Sequence, residues 1–160
     1  MEYGVNTATK MRFPGNATVR RKTLHRWMND LLGSWEQASV AQFIILTAHG
    51  HDPHQEALST LRTRSARVVT VDIFALDFTG LLESGDAQSH GGELDTSLLL
   101  YLAPDLVHME RAQDYVARRP SRVLPRQSPG SLGRPSLASR EKGERLYKMI
   151  FERIATRVLV

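Results

Sequence analysis

Two short apolar runs separated by a helical stretch constrain this chain more than any other feature. Val40 to Thr47 is continuously apolar with no 3.6-residue period, which suits a strand buried on both faces. Val68 to Phe74 has the same character. Between them, Asp52 can cap a helix and Pro53 suits its first turn. Ala57, Leu58 and Leu61 fall on one face of a helix from Pro53 to about Arg64. Strand, helix and strand in this length make a βαβ unit, and so a parallel pair. The expected fold class is α/β.

The flanking segments read as helices. Leu24, Trp27, Met28, Leu31, Leu32 and Trp35 recur at spacings of three and four, which marks an amphipathic helix over Thr23 to Ser39 with both tryptophans expected in the core. Pro14-Gly15 is a turn signal before it. Asp77 to Gln88 has no clear pattern. A helix is expected from about Leu94 to Leu102, stopped by Ala103-Pro104, and a longer one from about Ser139 to Leu159. Between Arg118 and Ser136 lie four prolines and two glycines, which make this segment a loop, either functional or partly disordered. The whole, residues 1–160, fits one domain.

Composition narrows the function classes. There are no cysteines, so disulfides and thiolate metal ligands are excluded. The start, MEYGVNTATK, has no apolar run, and the Phe43 to Leu46 stretch is far too short to span a bilayer. Cytoplasm is the expected location and no membrane partner is expected. The formal charge is +4. Its excess lies between Arg111 and Arg145, where nine Lys/Arg face three acids. That stretch is either a solvated loop or a phosphate-binding surface. No aromatic platform accompanies it, so nucleic acid is not the expected partner.

Histidines mark the candidate chemistry. His49, His51 and His54 follow the first strand, and His90 precedes the helix near Leu94. Ligands in open α/β sheets bind beyond the carboxyl ends of strands, and neutral imidazole is a natural ligand for first-row metals. In an extended His49-Gly50-His51, both rings point to one side, and Gly50 lets a substrate approach the backbone. The segment His90-Gly91-Gly92-Glu93-Leu94-Asp95-Thr96-Ser97 offers an imidazole, two carboxylates and two hydroxyls. Asp95, Thr96 and Ser97 are equally candidates for a helix N-cap with no other role.

These segments resemble the creatininase family. Thr47-Ala48-His49-Gly50-His51-Asp52 is similar to its Asn-Gly-His-Gly-Gly-Asn after a strand, and His90 to Ser97 to its His-Ala-Gly-x-x-Glu-Thr-Ser. Phe13-Pro14-Gly15-Asn16-Ala17-Thr18 looks like its Pro-Gly-Thr segment. Gly130 to Pro135, with Ala138-Ser139 and Glu141-Lys142-Gly143-Glu144, looks like its C-terminal segment. The resemblance runs from about residue 3 to the end. It implies a three-layer αβα fold with a mainly parallel sheet, a homo-oligomer, and a zinc or manganese site that hydrolyses C–N bonds of amides, often cyclic. It implies metal ligands at His49 and Asp95, with His51 as a compensating ligand. His90 falls beside the reacting amide, with Glu93 as a second catalytic candidate. Gly50, Asp52, Gly91, Gly92 and Ser97 are the substrate-binding candidates.

Three departures bear on activity. The family's opening strand and its Glu-x-His-Gly-Pro-His segment have no counterpart here, so an incomplete metal shell and an exposed sheet edge are expected. Asp95 stands where the family has glutamate, one methylene longer. His51 and Asp52 stand where it has glycine and asparagine. Three functions follow: a divergent metal-dependent amidohydrolase acting on a small amide, a catalytically inactive binding or assembly relative, and a phosphate or nucleic-acid binder using residues 118–145.

Overall fold

The first strand, β1 (Gln42–Thr47), pairs in parallel with β2 (Arg67–Asp72), in a register that runs from Gln42 opposite Arg67 to Thr47 opposite Asp72. The helix α2 (Asp52–Ser59) links them, which makes the βαβ unit read from the sequence. It precedes its strand partner by the short crossover that a parallel pair needs. The structure, a computed structural model, describes Val5 and residues 17–85, 90–117 and 128–158. The expected Pro14-Gly15 turn and residues 118–127 of the basic loop lie outside the described residues. The chain divides into two compact units, Met1–Ala75 and Leu76–Val160.

In the first unit, helix α1 (Arg21–Gln37) packs on α2. Leu24 and Leu32 of α1, Phe43 of β1, and Ala57, Leu58 and Leu61 form its core, with Met28, Ile45, Val68 and Val5 packed against it. Spacings of three and four bring Leu24, Met28 and Leu32 to one face. Glu36, at the end of α1, accepts the backbone N–H groups of Arg64 (2.9 Å), Ser65 (2.6 Å) and Ala66 (2.7 Å). These bonds hold its carboxyl down at about 2. They fix the turn that launches β2.

Two expectations are corrected in this unit. Trp27 and Trp35 are 51% and 48% exposed rather than core. The spacing put them on the apolar side, but the face that is covered is narrower than the apolar stripe, and Trp35 only stacks against Phe43 at 6.2 Å. The first strand is not buried on both faces either. Ile44 and Leu46 are 39% and 52% exposed while Phe43 and Thr47 are buried, so alternate residues separate into two faces. Helix α2 is also shorter than expected, ending at Ser59.

The second unit is built on α3 (Glu93–Leu102) and α4 (Arg140–Val158), which pack together. Single 3-10 turns cover 104–106, 109–111 and 135–137. Part of the expected 118–136 loop is thus ordered: Tyr115 and Gly133 form an antiparallel bridge. Gly143 lets the two helices approach closely. A Cβ there would lie 2.6 Å from the carbonyl carbon of Ser97 and 2.9 Å from Cβ of Tyr101. Among the described residues, no helix is long and apolar enough to cross a membrane.

Candidate functional site

The carboxyl end of β1 delivers three histidines to one place. From Thr47 the chain runs without regular structure to His51, the N-cap of α2, whose backbone is extended. Extended backbone turns residues two apart to the same side. Nε2 of His49 and Nδ1 of His51 each donate to the carbonyl oxygen of Val5, both at 2.8 Å. The two ring centroids are 5.9 Å apart. Asp52 is the first residue of α2 and not its cap, and Pro53 follows it.

His54, buried in the first turn of α2, sits against this pair with its ring 4.8 Å from that of His49. The backbone N–H of Val5 donates to its Nδ1 at 3.4 Å, and Oγ1 of Thr47 lies 3.1 Å from its Nε2. Burial, and then the nearby His49 and His51, pull its imidazole down from 6.5 to about 4. His54 is therefore neutral at neutral pH. Gln55 donates to the carbonyl of His49 at 2.7 Å, which ties the loop to the helix. Gly50 is exposed, with Phe74 3.7 Å from where its Cβ would be.

In the second unit, the site candidates gather at the N-terminus of α3. His90 is exposed, and its carbonyl accepts the N–H of Leu132 at 2.7 Å. Gly91 has φ of +63°, the left-handed region that favours glycine. Its N–H donates to Oδ2 of Asp95 at 2.7 Å, and Gly92 is the helix N-cap. Asp95 thus reaches back over the helix start as a capping carboxylate does. Burial pushes its carboxyl above the ordinary value, against the lowering effect of the Gly91 N–H and of His90. A cleft of about 280 Å³ opens beside Gly91 and Thr96, with Leu99, His108, Arg111 and Ser131 among its walls.

Two of the expected site side chains are occupied inside this unit. Glu93 is wholly buried. It accepts the N–H of Glu83 at 3.0 Å and of Ser84 at 2.7 Å, and it pairs with Lys142. Lys142 also reaches Glu83 at 2.9 Å and the carbonyl of Leu137 at 2.7 Å. Burial alone would raise the Glu93 carboxyl, but Lys142 and the two backbone donors outweigh it and hold it at about 2. Ser97 is also wholly buried, and its Oγ accepts the N–H of Ser139 at 3.3 Å.

Among the described residues, no three His, Asp or Glu side chains stand together as a metal site. His49 and His51 converge within the first unit, while Asp95 belongs to the second. The donor chemistry of the pair does fit a divalent ion. Each imidazole has one nitrogen bonded to a backbone carbonyl, the arrangement that supports metal-ligating histidines through their other nitrogen. Sequence reasoning gave no site role to Val5, Thr47, His54 or Lys142. His54 carried a signal, as the third histidine after the strand, and Lys142 lay within Glu141-Lys142-Gly143-Glu144. Nothing in the sequence singled out Val5, whose backbone does the work.

The sequence model of the creatininase family, described as creatinine amidohydrolase, matches residues 1–158. The chain belongs to the creatininase family. A creatinine amidohydrolase from Pseudomonas putida is 24% identical over 183 residues, covering 97% of this chain and 70% of that protein. A mutant creatininase of Zn–Zn type has a TM-score of 0.76 at 26% identity, covering 98% of this chain and 70% of its own. A manganese creatininase has a TM-score of 0.72 at 28% identity, covering 92% of this chain and 66% of its own. The fold of this chain, α/β with a small parallel sheet, is thus similar to that of solved creatininases.

Proposed function

We propose that this chain is a divergent, metal-dependent amidohydrolase of the creatininase family, acting on the C–N bond of a small amide. The observation that carries this reading is the pairing of His49 and His51 at the carboxyl end of β1, ring centroids 5.9 Å apart, each with one ring nitrogen held by the Val5 carbonyl at 2.8 Å and the other left to bind. That is where an open α/β sheet binds its ligand. The relatives support the metal, since creatininases are known in Zn–Zn and Mn forms. They support the substrate class, since the Pseudomonas putida relative is a creatinine amidohydrolase.

In this reading His49 and His51 hold the ion, and Asp95 is the third expected ligand. Residues 1–160 are in this reading a single creatininase-like domain of three-layer αβα class, and the chain assembles with copies of itself. The chemistry that a zinc or manganese ion held there would supply is an acidified water and a polarised amide oxygen. His90, exposed at the head of α3, holds the proton for the leaving nitrogen. Gly91, Gly92, Gly50 and Asp52 are the substrate-binding residues of this reading. Glu93 and Ser97 act from behind, as anchors of α3, because their polar atoms are engaged inside the unit.

A second reading is favoured by a separate observation. Asp95 already serves the N-terminus of α3, and no three metal-binding side chains stand together among the described residues. A catalytically inactive relative that binds or assembles would have this arrangement. Metal analysis of the purified chain, beside His49→Ala, separates the two. Zinc or manganese near stoichiometry in the wild type and lost in His49→Ala supports the hydrolase, and turnover of a cyclic amide should then depend on His49. No retained metal in either supports the inactive relative.

A further inference from the structure

We propose that His54, acting through the backbone of Val5, is a positioning residue that fixes the ring tautomers of His49 and His51. A carbonyl oxygen has no proton to give. The two ring nitrogens bonded to the Val5 carbonyl, Nε2 of His49 and Nδ1 of His51, must therefore both carry hydrogen. In the neutral rings this leaves Nδ1 of His49 and Nε2 of His51 unprotonated, with lone pairs available.

The same logic assigns His54. The Val5 N–H can only donate, so Nδ1 of His54 is the bare nitrogen. Its proton sits on Nε2, where Oγ1 of Thr47 accepts it at 3.1 Å. Thr47 is the last residue of β1 and is buried. The chain of contacts thus runs from the end of the strand, through a buried imidazole, to the Val5 N–H, and from the carbonyl of the same residue, one peptide group on, to two rings at once. The Val5 side chain packs against the first-unit core, which holds the peptide from the other side.

This arrangement has a directional consequence. His49 and His51 are bound to one oxygen through opposite ring positions, so their free nitrogens differ: δ in one, ε in the other. The hydrogen bond made by one ring nitrogen decides what the other can do. A ligand that needs an imidazole lone pair meets two that are already set. The value of this to a metal rests on the hydrolase reading above, but the tautomers themselves do not depend on it.

The test uses the full metal-free chain with nitrogen-15-labelled histidine, read at neutral pH by long-range proton–nitrogen correlation, which distinguishes the two tautomers. The expected result is Nε2–H for His49 and His54 and Nδ1–H for His51. Finding His51 in the Nε2–H form overturns the proposal without any variant. His54→Phe keeps a ring but no nitrogen, and both neighbours should then show averaged tautomers. His54→Asn, whose amide oxygen can take the Val5 N–H, should restore them. Unchanged tautomers in His54→Phe also overturn the proposal. Titration with zinc should show affinity falling on the order of 10–100-fold in His54→Phe and recovering in His54→Asn. Correct tautomers in a wild type that binds no zinc leave this assignment standing and remove the metal reading instead.

Discussion

At the scale of single residues, the most tightly bound group is the Glu93 carboxylate. It lies two positions before Asp95 on α3, in a helix start that the sequence marks as a site. Its oxygens are turned inward to Lys142 and to two peptide N–H groups. A buried charge that loses its partner is strongly destabilising, by about 3–5 kcal/mol. We expect Glu93→Gln to cost that order in urea unfolding at neutral pH. The pH dependence has a definite sign. The folded carboxyl sits near 2, below its ordinary 4.5, so its stabilisation is present above pH 4.5 and is lost as pH falls toward 2. The wild type should therefore lose its advantage over Glu93→Gln across that window. An equal gap between the two at neutral pH and at pH 2 would assign the stability of α3 to other contacts.

At the scale of elements, the contact between α3 and α4 depends on what is missing at position 143. Ser97 and Tyr101 of one helix lie against Gly143 of the other. A methyl group there meets backbone and cannot be accommodated by a rotamer change. Gly143→Ala should destabilise by about 1–3 kcal/mol or more, measured as a shift in urea midpoint with little change in slope. Ala substituted at exposed Arg145, two residues on, should leave the midpoint nearly unmoved. An unshifted midpoint in Gly143→Ala would mean that the helices pack more loosely than their separation implies. Helical periodicity located both helices within a residue or two. It gave no sign of this contact, because helix-interior glycine reads from sequence only as a weak position.

At the scale of the whole molecule, the family match runs through both compact units. A two-stranded sheet alone is marginally stable in water, and the first unit has only β1 and β2 among its described strands. We therefore expect the chain to unfold as one cooperative domain. Calorimetry should give a single transition whose calorimetric and van't Hoff enthalpies agree. Two resolved transitions would show that residues 1–75 and 76–160 fold independently.

The order of elements, the parallel pairing of β1 with β2 and the two histidine segments were all legible in the sequence. They follow from local rules: hydrophobic period, helix-start signals, and the short crossover between strands. The motifs that carried the creatininase resemblance were equally local. Which polar atoms meet which was decided only by the tertiary structure. The Val5 carbonyl lies 44 and 46 positions from the histidines it orients, and Lys142 lies 49 from Glu93. Periodicity says which face of an element is covered, but not by what. A carboxylate at a helix start reads alike whether it will meet a substrate or a buried lysine. The exposure of Trp27, Trp35, Ile44 and Leu46 has the same origin. Their apolar character was plain in the sequence, and only the packing of the chain determined how far each is covered.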